Sequence, residues 1–516
     1  MEWKQLGLDI GGEAAGDNSG GTVSLSADGT RVAIGAQFND EAGTNAGHVR
    51  VYQFLNDAWS KIGDDIDGEA AGDNSGSVRL SGDGSTVAIG ARGNDGTGTG
   101  TDAGHVRVYK FLNDAWSKIG DDIDGEATED YSGTSVSLSY DGTVVAISAP
   151  SNDGTSGSTS DFRGHVRVYQ FLNDAWSKIG DDIDGEAAGD NSGASVSLSG
   201  NGLTVAIGAI GNDGTTGTAT DGRGHVRVYE FLDEAWSKIG DDIDGEAAGD
   251  FFGAQVSLSY DGSRVAIGAP NNDGTTSSAT DGRGHVRVYE LNGTAWAQLG
   301  LDIDGEAAGD VSGGTVSLSA DGTRVAIGAR NNDGTTGTAT DGRGHVRVYE
   351  FLNNAWVQLG LDIDGEEAGD FSGSVSLSGD GSRVAIGARN NDGTGTDAGH
   401  VRVYQLVSTT TTTTTGAQDT TTTTGAQDTT TTTGAQDTTT TTTAATTTTT
   451  TAATTTTTTT GAQDTTTTTT GAQDTTTTTG APAQETVLSL EQGTSFVVDG
   501  VTKYVWNLKA NTRQKS

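Results

Sequence analysis

A run of carboxylates with fixed spacing recurs along the chain. Around residue 65 it reads Asp65-Ile-Asp67-Gly-Glu69, and Asp73 follows, so that acids occupy positions 1, 3, 5 and 9. Carboxylate oxygens at such spacing are the ligands that Ca²⁺ takes, about six to eight at a time. Glycine stands at position 4 rather than 6 and no closing glutamate follows, so the match to a calcium loop is partial.

Four consecutive copies of this run are the candidate calcium ligands. A simpler interpretation stays open, in which each copy is an acidic, solvated connection whose glycines turn the chain. The candidate ligands are Asp65, Asp67, Glu69, Asp73, Asp122, Asp124, Glu126, Asp130, Asp182, Asp184, Glu186, Asp190, Asp242, Asp244, Glu246 and Asp250.

The string Gly-His-Val-Arg-Val-Tyr is the second recurring element that could do chemistry. Its His copies account for all 7 His of the chain. A catalytic group is normally singular, so equivalent copies indicate a structural network in which His and Trp donate to Asp or Ser of an adjacent strand and Arg pairs with the carboxylates of the connections. Acid–base catalysis would need residues that break the repeat, and none of those forms an acid–base pair by sequence. They are Glu41, Glu129, Tyr131, Phe162 and Phe251.

The elements that must position these residues follow from the repeat. Trp recurs at 3, 59, 116, 176, 236, 296 and 356, which gives seven units over residues 1–407. Within one unit, residues 256–259, 264–269, 285–291 and 296–303 show period-2 alternation and Asp-Gly or Asn-Gly turns, which predict four antiparallel strands. No window shows a sustained 3.6-residue period. Seven such units predict an all-β, seven-bladed β-propeller of four-stranded antiparallel blades.

The ends of this repeat predict how the ring closes. Residues 2–10 match a fourth strand, whereas residues 400–406 match a third strand. The N-terminal strand can therefore complete the last blade, which removes an exposed sheet edge.

One unit also carries a recognisable signature. Phe252-Gly253 is followed by Gly268-Ala269-Pro270 and then by the His string, and this unit resembles the FG-GAP repeat of the integrin α-chain N-terminal β-propeller. The resemblance extends over residues 1–407 and implies a non-enzymatic adhesion or recognition module at the cell surface. It also implies a calcium loop, Asp-x-Asp-x-Asp-Gly, but residues 257–262 carry Ser at two of the three acidic positions.

Composition excludes several classes of protein. The formal charge is −41, which opposes sequence-independent binding to nucleic acid, because that affinity comes from Lys and Arg. With 0 Cys, thiol catalysis and Cys-ligated metals are excluded. No apolar run reaches the roughly 18–20 residues that cross a bilayer. The connections between units and the loops between the second and third strands share one end of each blade, and 47 acids against 7 Arg predict an acidic face there.

The remaining sequence forms two predicted segments. Residues 408–485 are Thr runs broken by Gly-Ala-Gln-Asp, and such a segment is typical of a disordered linker or a glycosylated stalk. Residues 486–516 predict a short β-hairpin that turns at Asp499-Gly500.

Together these features predict a monomeric, non-enzymatic propeller that binds a protein or glycan partner on its acidic face, with calcium compatible as a cofactor. An extracellular or cell-surface location follows from the resemblance. Because no signal-like apolar segment follows Met1, a cytoplasmic location stays open, and with it an intracellular interaction scaffold. A propeller hydrolase or lyase is the enzyme alternative.

Overall fold

The computed structural model describes residues 1–96, 100–154, 161–214, 221–274, 281–334 and 341–408, together with four strands further on. It divides into two units, Met1–Val407 and Ser408–Ser516. No α-helix occurs in these described ranges, and accordingly no helix in them is long and apolar enough to cross a membrane.

Alternating Val, Ile and Ala residues, separated by Asp-Gly turns, form short antiparallel strands throughout the first unit. In chain order the strands are β1 (Glu2–Gln5), β2 (Ile10–Gly11), β3 (Thr22–Leu25), β4 (Arg31–Ala36), β5 (His48–Leu55), β6 (Ala58–Lys61), β7 (Ile66–Asp67), β8 (Ser75–Leu80), β9 (Thr86–Ala91), β10 (His105–Leu112), β11 (Ala115–Lys118), β12 (Ile123–Asp124), β13 (Val136–Leu138), β14 (Val144–Ala149), β15 (His165–Leu172), β16 (Ala175–Lys178), β17 (Ile183–Asp184), β18 (Ser192–Leu198), β19 (Thr204–Ala209), β20 (His225–Leu232), β21 (Ala235–Lys238), β22 (Ile243–Asp244), β23 (Gln255–Leu258), β24 (Arg264–Ala269), β25 (His285–Asn292), β26 (Ala295–Gln298), β27 (Ile303–Asp304), β28 (Ser312–Leu318), β29 (Arg324–Ala329), β30 (His345–Leu352), β31 (Ala355–Gln358), β32 (Ile363–Asp364), β33 (Ser372–Leu377), β34 (Arg383–Ala388) and β35 (His400–Val407).

These strands build seven blades, which confirms the all-β, seven-bladed propeller. In blade one, the inner strand β3 pairs with the second strand β4, and the third strand β5 follows. Both β6 and β7 then pair with β5, so the fourth strand is split into two segments. Blades two to six repeat this order, and blade seven contains β33, β34 and β35.

The N-terminal residues supply the outer strand of blade seven, as predicted. Glu2 pairs with Val407 in β1, and Ile10 pairs with Val401 in β2. Trp3 is 9% exposed, and its indole N–H donates to the carbonyl oxygen of Leu359 in blade six at 2.7 Å. The ring is therefore closed by contacts between the two ends of the propeller.

The apolar core lies between neighbouring blades, with one cluster at each of the seven interfaces. Between blades four and five, Val226 and Ile243 from one blade meet Ile267 and Phe252 from the next. Each fully buried side chain of this size contributes roughly 1.5–3 kcal/mol. The sheets approach closely: a Cβ on Gly268 would lie 2.0 Å from the carbonyl oxygen of Gly313 in blade six. Glycine at this position therefore permits the close packing.

The second unit contains four described strands. β36 (Thr447–Thr448) pairs with β37 (Thr466–Thr467) in parallel, and β38 (Gln484–Val498) pairs with β39 (Val501–Gln514) in antiparallel register. The predicted disordered linker at 408–485 otherwise lies outside the described residues, as do Asp499 and Gly500 at the predicted hairpin turn.

Candidate functional site

The third strand of each blade presents three functional side chains on one of its faces. In β20 these are His225, Arg227 and Tyr229, which alternate with the core residues Val226 and Val228. His225 is 1% exposed and Arg227 is 5% exposed. The period-2 geometry of a strand thus places an imidazole, a guanidinium and a phenol in one row.

The fourth strand pairs with the third in two segments, and the register between them locates the first candidate acids. In blade one, the N–H of Ile62 donates to Val51 and Ile66 pairs with Val49, so that residues 63–65 lie beside Arg50, the third residue of β5. Asp65 forms an ion pair there with Lys61 at 2.6 Å. The outer strand therefore bulges before it ends, and a carboxylate oxygen of Asp65 still lies within 4.8 Å of one of Glu41, in the loop between the second and third strands.

The second candidate acid lies in the short outer segment. Asp67 pairs with His48 across the ladder, and its Oδ1 is 4.0 Å from the Nδ1 of His48. Its main-chain carbonyl accepts a hydrogen bond of 2.6 Å from Arg107 in the next blade.

The third candidate acid reaches across the interface between two blades. Glu69 leaves blade one, and its carboxylate lies 3.6 Å from the guanidinium of Arg107 and 3.9 Å from Nδ1 of His105. Arg107 also donates to the hydroxyl of Tyr109 at 2.9 Å. The guanidinium thus neutralises part of the charge of the carboxylate at the interface.

The fourth candidate acid has a structural role. Asp73 is 3% exposed and accepts hydrogen bonds from the N–H of Ala70 at 2.9 Å and from the side-chain amide of Asn94 at 3.2 Å. Since Asn94 follows the second strand of the next blade, this carboxylate fixes the connection to that strand end.

The other three copies repeat these roles, so each connection distributes its four acids among four different partners. Asp122, Asp182 and Asp242 pair with Lys118, Lys178 and Lys238. Asp124, Asp184 and Asp244 pair with His105, His165 and His225 in the ladder. Glu126, Glu186 and Glu246 contact Arg167, Arg227 and Arg287, and Asp130, Asp190 and Asp250 accept from Asn152, Asn212 and Asn272.

Acids from successive connections do come together with a histidine. Glu126, His165 and Asp182 place one potential ligand atom each within 4.8 Å of one another, and equivalent sets recur in other blades. Burial and the neighbouring Arg167 lower the pKa of His165 to about 4. The imidazole is therefore neutral at physiological pH, which is the form that can bind a metal.

The carboxylates of one connection also repel each other. Burial and the adjacent charge of Asp182 raise the pKa of Asp184, and burial together with the charge of Asp242 raises the pKa of Asp244.

The last turn of each connection packs on the loop between the second and third strands, as where the N–H of Ser75 donates to the carbonyl oxygen of Ala46. We call the end of the propeller formed by these connections and loops the loop face, and the opposite end, with the tight turns, the turn face.

The residues that break the repeat do not form an acid–base pair in the described structure. Glu129, Tyr131, Phe162 and Phe251 all have φ between 48° and 62°, so they occupy turn positions in the left-handed region. Glu41 is exposed and joins a set with Glu13, His48 and Asp65.

Sequence reasoning missed Arg79, which lines the central channel. A signal was present: the residue between Val and Leu of the inner strand is Ser in six units and Arg only at position 79.

Fold and side-chain network together define a seven-bladed β-propeller with an acidic loop face. No family model and no curated protein matches the chain. Among solved structures, the chain is similar to a Bacteroides uniformis ATCC 8492 protein provisionally assigned as a 6-phosphogluconolactonase, with 13% identity, a TM-score of 0.44, and coverage of 67% of this chain and 85% of that one. It is also similar to Kuenenia stuttgartiensis hydrazine synthase, with 14% identity, a TM-score of 0.44, and coverage of 74% and 94%. At such identities and TM-scores, neither similarity carries an argument about this chain.

Proposed function

We propose that this propeller is a non-enzymatic binding module whose loop face captures a cationic surface of a protein or glycan partner. The observation that carries the proposal is the repulsion among its carboxylates. Burial and, after it, the charge of the adjacent Asp182 or Asp242 raise the pKa of Asp184 and Asp244, so a positive ligand would relieve the part of this unfavourable interaction that comes from repulsion. Loops on a rigid scaffold are also where binding residues usually occur.

The resemblance to FG-GAP repeats supports an adhesion role and an extracellular or cell-surface location. Sevenfold repetition of the Arg–Glu contact between blades favours a structural role for these residues over catalysis. A charge of −41 gives long-range attraction for basic partners and disfavours nucleic acid.

Neutralising exposed acids on the loop face should slow capture of a cationic probe. Glu41, Glu129 and Glu367 are exposed there, and their Gln variants remove three charges together. We expect the association rate with an immobilised oligolysine peptide at low ionic strength to fall several-fold, because electrostatic steering sets that rate. Surface plasmon resonance across a salt series measures it.

A matched variant removes the same charge from the turn face. Asp57, Asp114 and Asp174 are exposed in turns there, with φ of 61° to 63°, which Asn also tolerates. The triple Asn variant should keep an association rate close to that of the wild type. Equal slowing in both variants would mean that net charge alone attracts the probe, and the proposed face would then not be a site.

The proposal includes calcium, but each candidate position offers it few oxygen ligands. The hairpin carboxylate that the resemblance implies does not fit, because Asp261 already accepts bonds from Ser259 and Ser263 at 2.7–3.0 Å. The acids of one connection diverge, so calcium would have to be shared between connections, as at Glu126 and Asp182. Two carboxylates and an imidazole fall short of the oxygen-rich shell that calcium prefers.

Such ligands predict calcium affinity in the millimolar range. The unfolding midpoint should be unchanged by 10 µM calcium (about the sensor range) and should rise at about 5 mM, relative to EDTA at equal ionic strength. Differential scanning calorimetry measures the shift. An unchanged midpoint at 5 mM would remove calcium from the proposal.

A further inference from the structure

A ring of serine hydroxyls links the inner strands around the central channel. In six of the seven interfaces, the hydroxyl oxygen of the Ser between Val and Leu accepts a hydrogen bond of 2.9–3.0 Å from the N–H of the corresponding Leu in the next blade. The acceptors are Ser24, Ser137, Ser197, Ser257, Ser317 and Ser376.

Arg79 occupies this position in blade two and interrupts the ring. The N–H of Leu138, which would donate to a serine here, has no corresponding hydroxyl to bind. Within the described part of the chain, the guanidinium of Arg79 has no hydrogen bond or ion pair with the protein. At this one interface, the position that accepts a hydrogen bond at the other six holds a side chain that can only donate.

The surroundings of Arg79 lack a compensating charge. It lines a cavity of about 100 Å³ in the channel, whose other described lining residues include Leu80, Leu138, Tyr140 and Tyr260 but no carboxylate. Burial alone lowers the pKa of Arg79. Asp83, the nearest acid in the sequence, is held by Ser81 and Ser85 at 2.6–2.9 Å. The side chain is partly exposed to the channel, and its positive charge is not shared with a carboxylate, so an anion in the cavity would gain a charge-assisted hydrogen bond.

The mouth of this cavity has a fixed shape. Main-chain hydrogen bonds join the turns of adjacent blades, as from Tyr140 to Gly200 at 2.8 Å and from Gly200 to Tyr260 at 2.7 Å. The rings of Tyr140 and Tyr260 meet edge to face at 5.5 Å. Tyr140 lies over Gly82, where a Cβ would approach its ring to 2.1 Å, so glycine is needed there. The aromatic pair borders the cavity on the turn face.

From the Arg79 guanidinium, the missing serine acceptor for the Leu138 N–H and a cavity wall without carboxylates, we infer that the channel binds a small oxyanion, such as phosphate, sulfate or a carboxylate. A planar guanidinium presents two parallel N–H groups to such an anion, and Leu138, whose N–H lacks the serine acceptor of the other interfaces, lines the same cavity. This inference is independent of the loop-face function, because the cavity opens toward the turn face.

Substitution of Arg79 by Ser tests the inference and restores the residue of the other six blades. Isothermal titration with inorganic phosphate at pH 7.5 and constant ionic strength should show binding to the wild type and at least tenfold weaker binding to R79S. Without phosphate, R79S should unfold at the same or a higher midpoint, because Leu138 regains an acceptor. That second result separates loss of the anion from loss of the fold.

Two further variants make the outcome specific. R79K keeps the charge but loses the paired donors, and it should bind phosphate more weakly than the wild type. R389Q removes an exposed arginine at the other end of the channel and should bind phosphate as the wild type does. No phosphate binding to the wild type at 50 mM, or equal binding to wild type and R79S, would overturn the inference.

Discussion

Deletion of residues 1–11 should abolish the stable folded state of the propeller at 37 °C. The deletion removes both outer segments of blade seven and leaves β35 as an unpaired edge. It also removes the buried Trp3 and Ile10. Truncating a buried Trp to Ala costs about 3–5 kcal/mol of folding stability, and truncating a buried Ile to Ala costs about 2–5 kcal/mol. Since whole domains are stable by about 5–15 kcal/mol, little net stability remains. Urea denaturation followed by circular dichroism measures this loss.

A circular permutant provides the control for this deletion. When residues 1–11 are joined after residue 407 by a flexible linker, the same strand can pair with β35 in its native register, and stability should return. A second comparison uses Trp3→Ala and Trp236→Ala, since both indoles donate to the outer strand of the preceding blade. Trp3→Ala should be the more destabilising, because β21 stays attached to its blade through a tight turn whereas β1 does not. If the deleted chain unfolded at the wild-type urea concentration, closure by the N-terminal strand would not stabilise the ring.

The strand types with which the repeat begins and ends explain why the fold could be predicted. Trp marks the outer strand and His marks the third strand, so the order in which they begin and end the chain fixes which strand must close the ring. Period-2 alternation located every second and third strand, because Val, Ile and Ala there contact both neighbouring blades. These signals are local, and they repeat seven times.

The arrangement of the candidate site could not be predicted in the same way. The connection was interpreted as one loop with four acids, but Gly63, with φ of 70°, lets the outer strand bulge before Ile66 resumes pairing. Whether Glu69 turns toward its own blade or toward Arg107 depends on how two blades pack against each other. The spacing of residues within one unit does not predict that packing. Arg79 was missed for another reason: its meaning comes from the serines at equivalent positions of the other six inner strands, and the residues considered as breaking the repeat did not include any on those strands.

Acidification between pH 6.5 and 4 should destabilise the propeller steeply. Burial, with a smaller contribution from the adjacent arginine, lowers the pKa of His225 and His345 to about 4. The unfolded chain, with an ordinary pKa of about 6.5, binds protons in this window while the folded chain does not, so stability falls as the pH falls. Near pH 5 these two residues alone contribute about 2.4 kcal/mol per pH unit. The pKa values of the other five His are lowered as well, so their contributions have the same sign.

The carboxylates beside these histidines act in the opposite sense at lower pH. Asp184 and Asp244 have raised pKa values, so the folded state takes up their protons before the unfolded state does, which offsets part of the loss once the pH approaches the carboxyl range. Urea midpoints measured from pH 7.5 to 4.5 give the slope, and the variant His225→Asn should reduce that slope by about one proton whatever its effect on absolute stability. The two slopes would be equal if His225 titrated normally in the folded protein, and burial of a neutral imidazole at the blade interface would then be refuted.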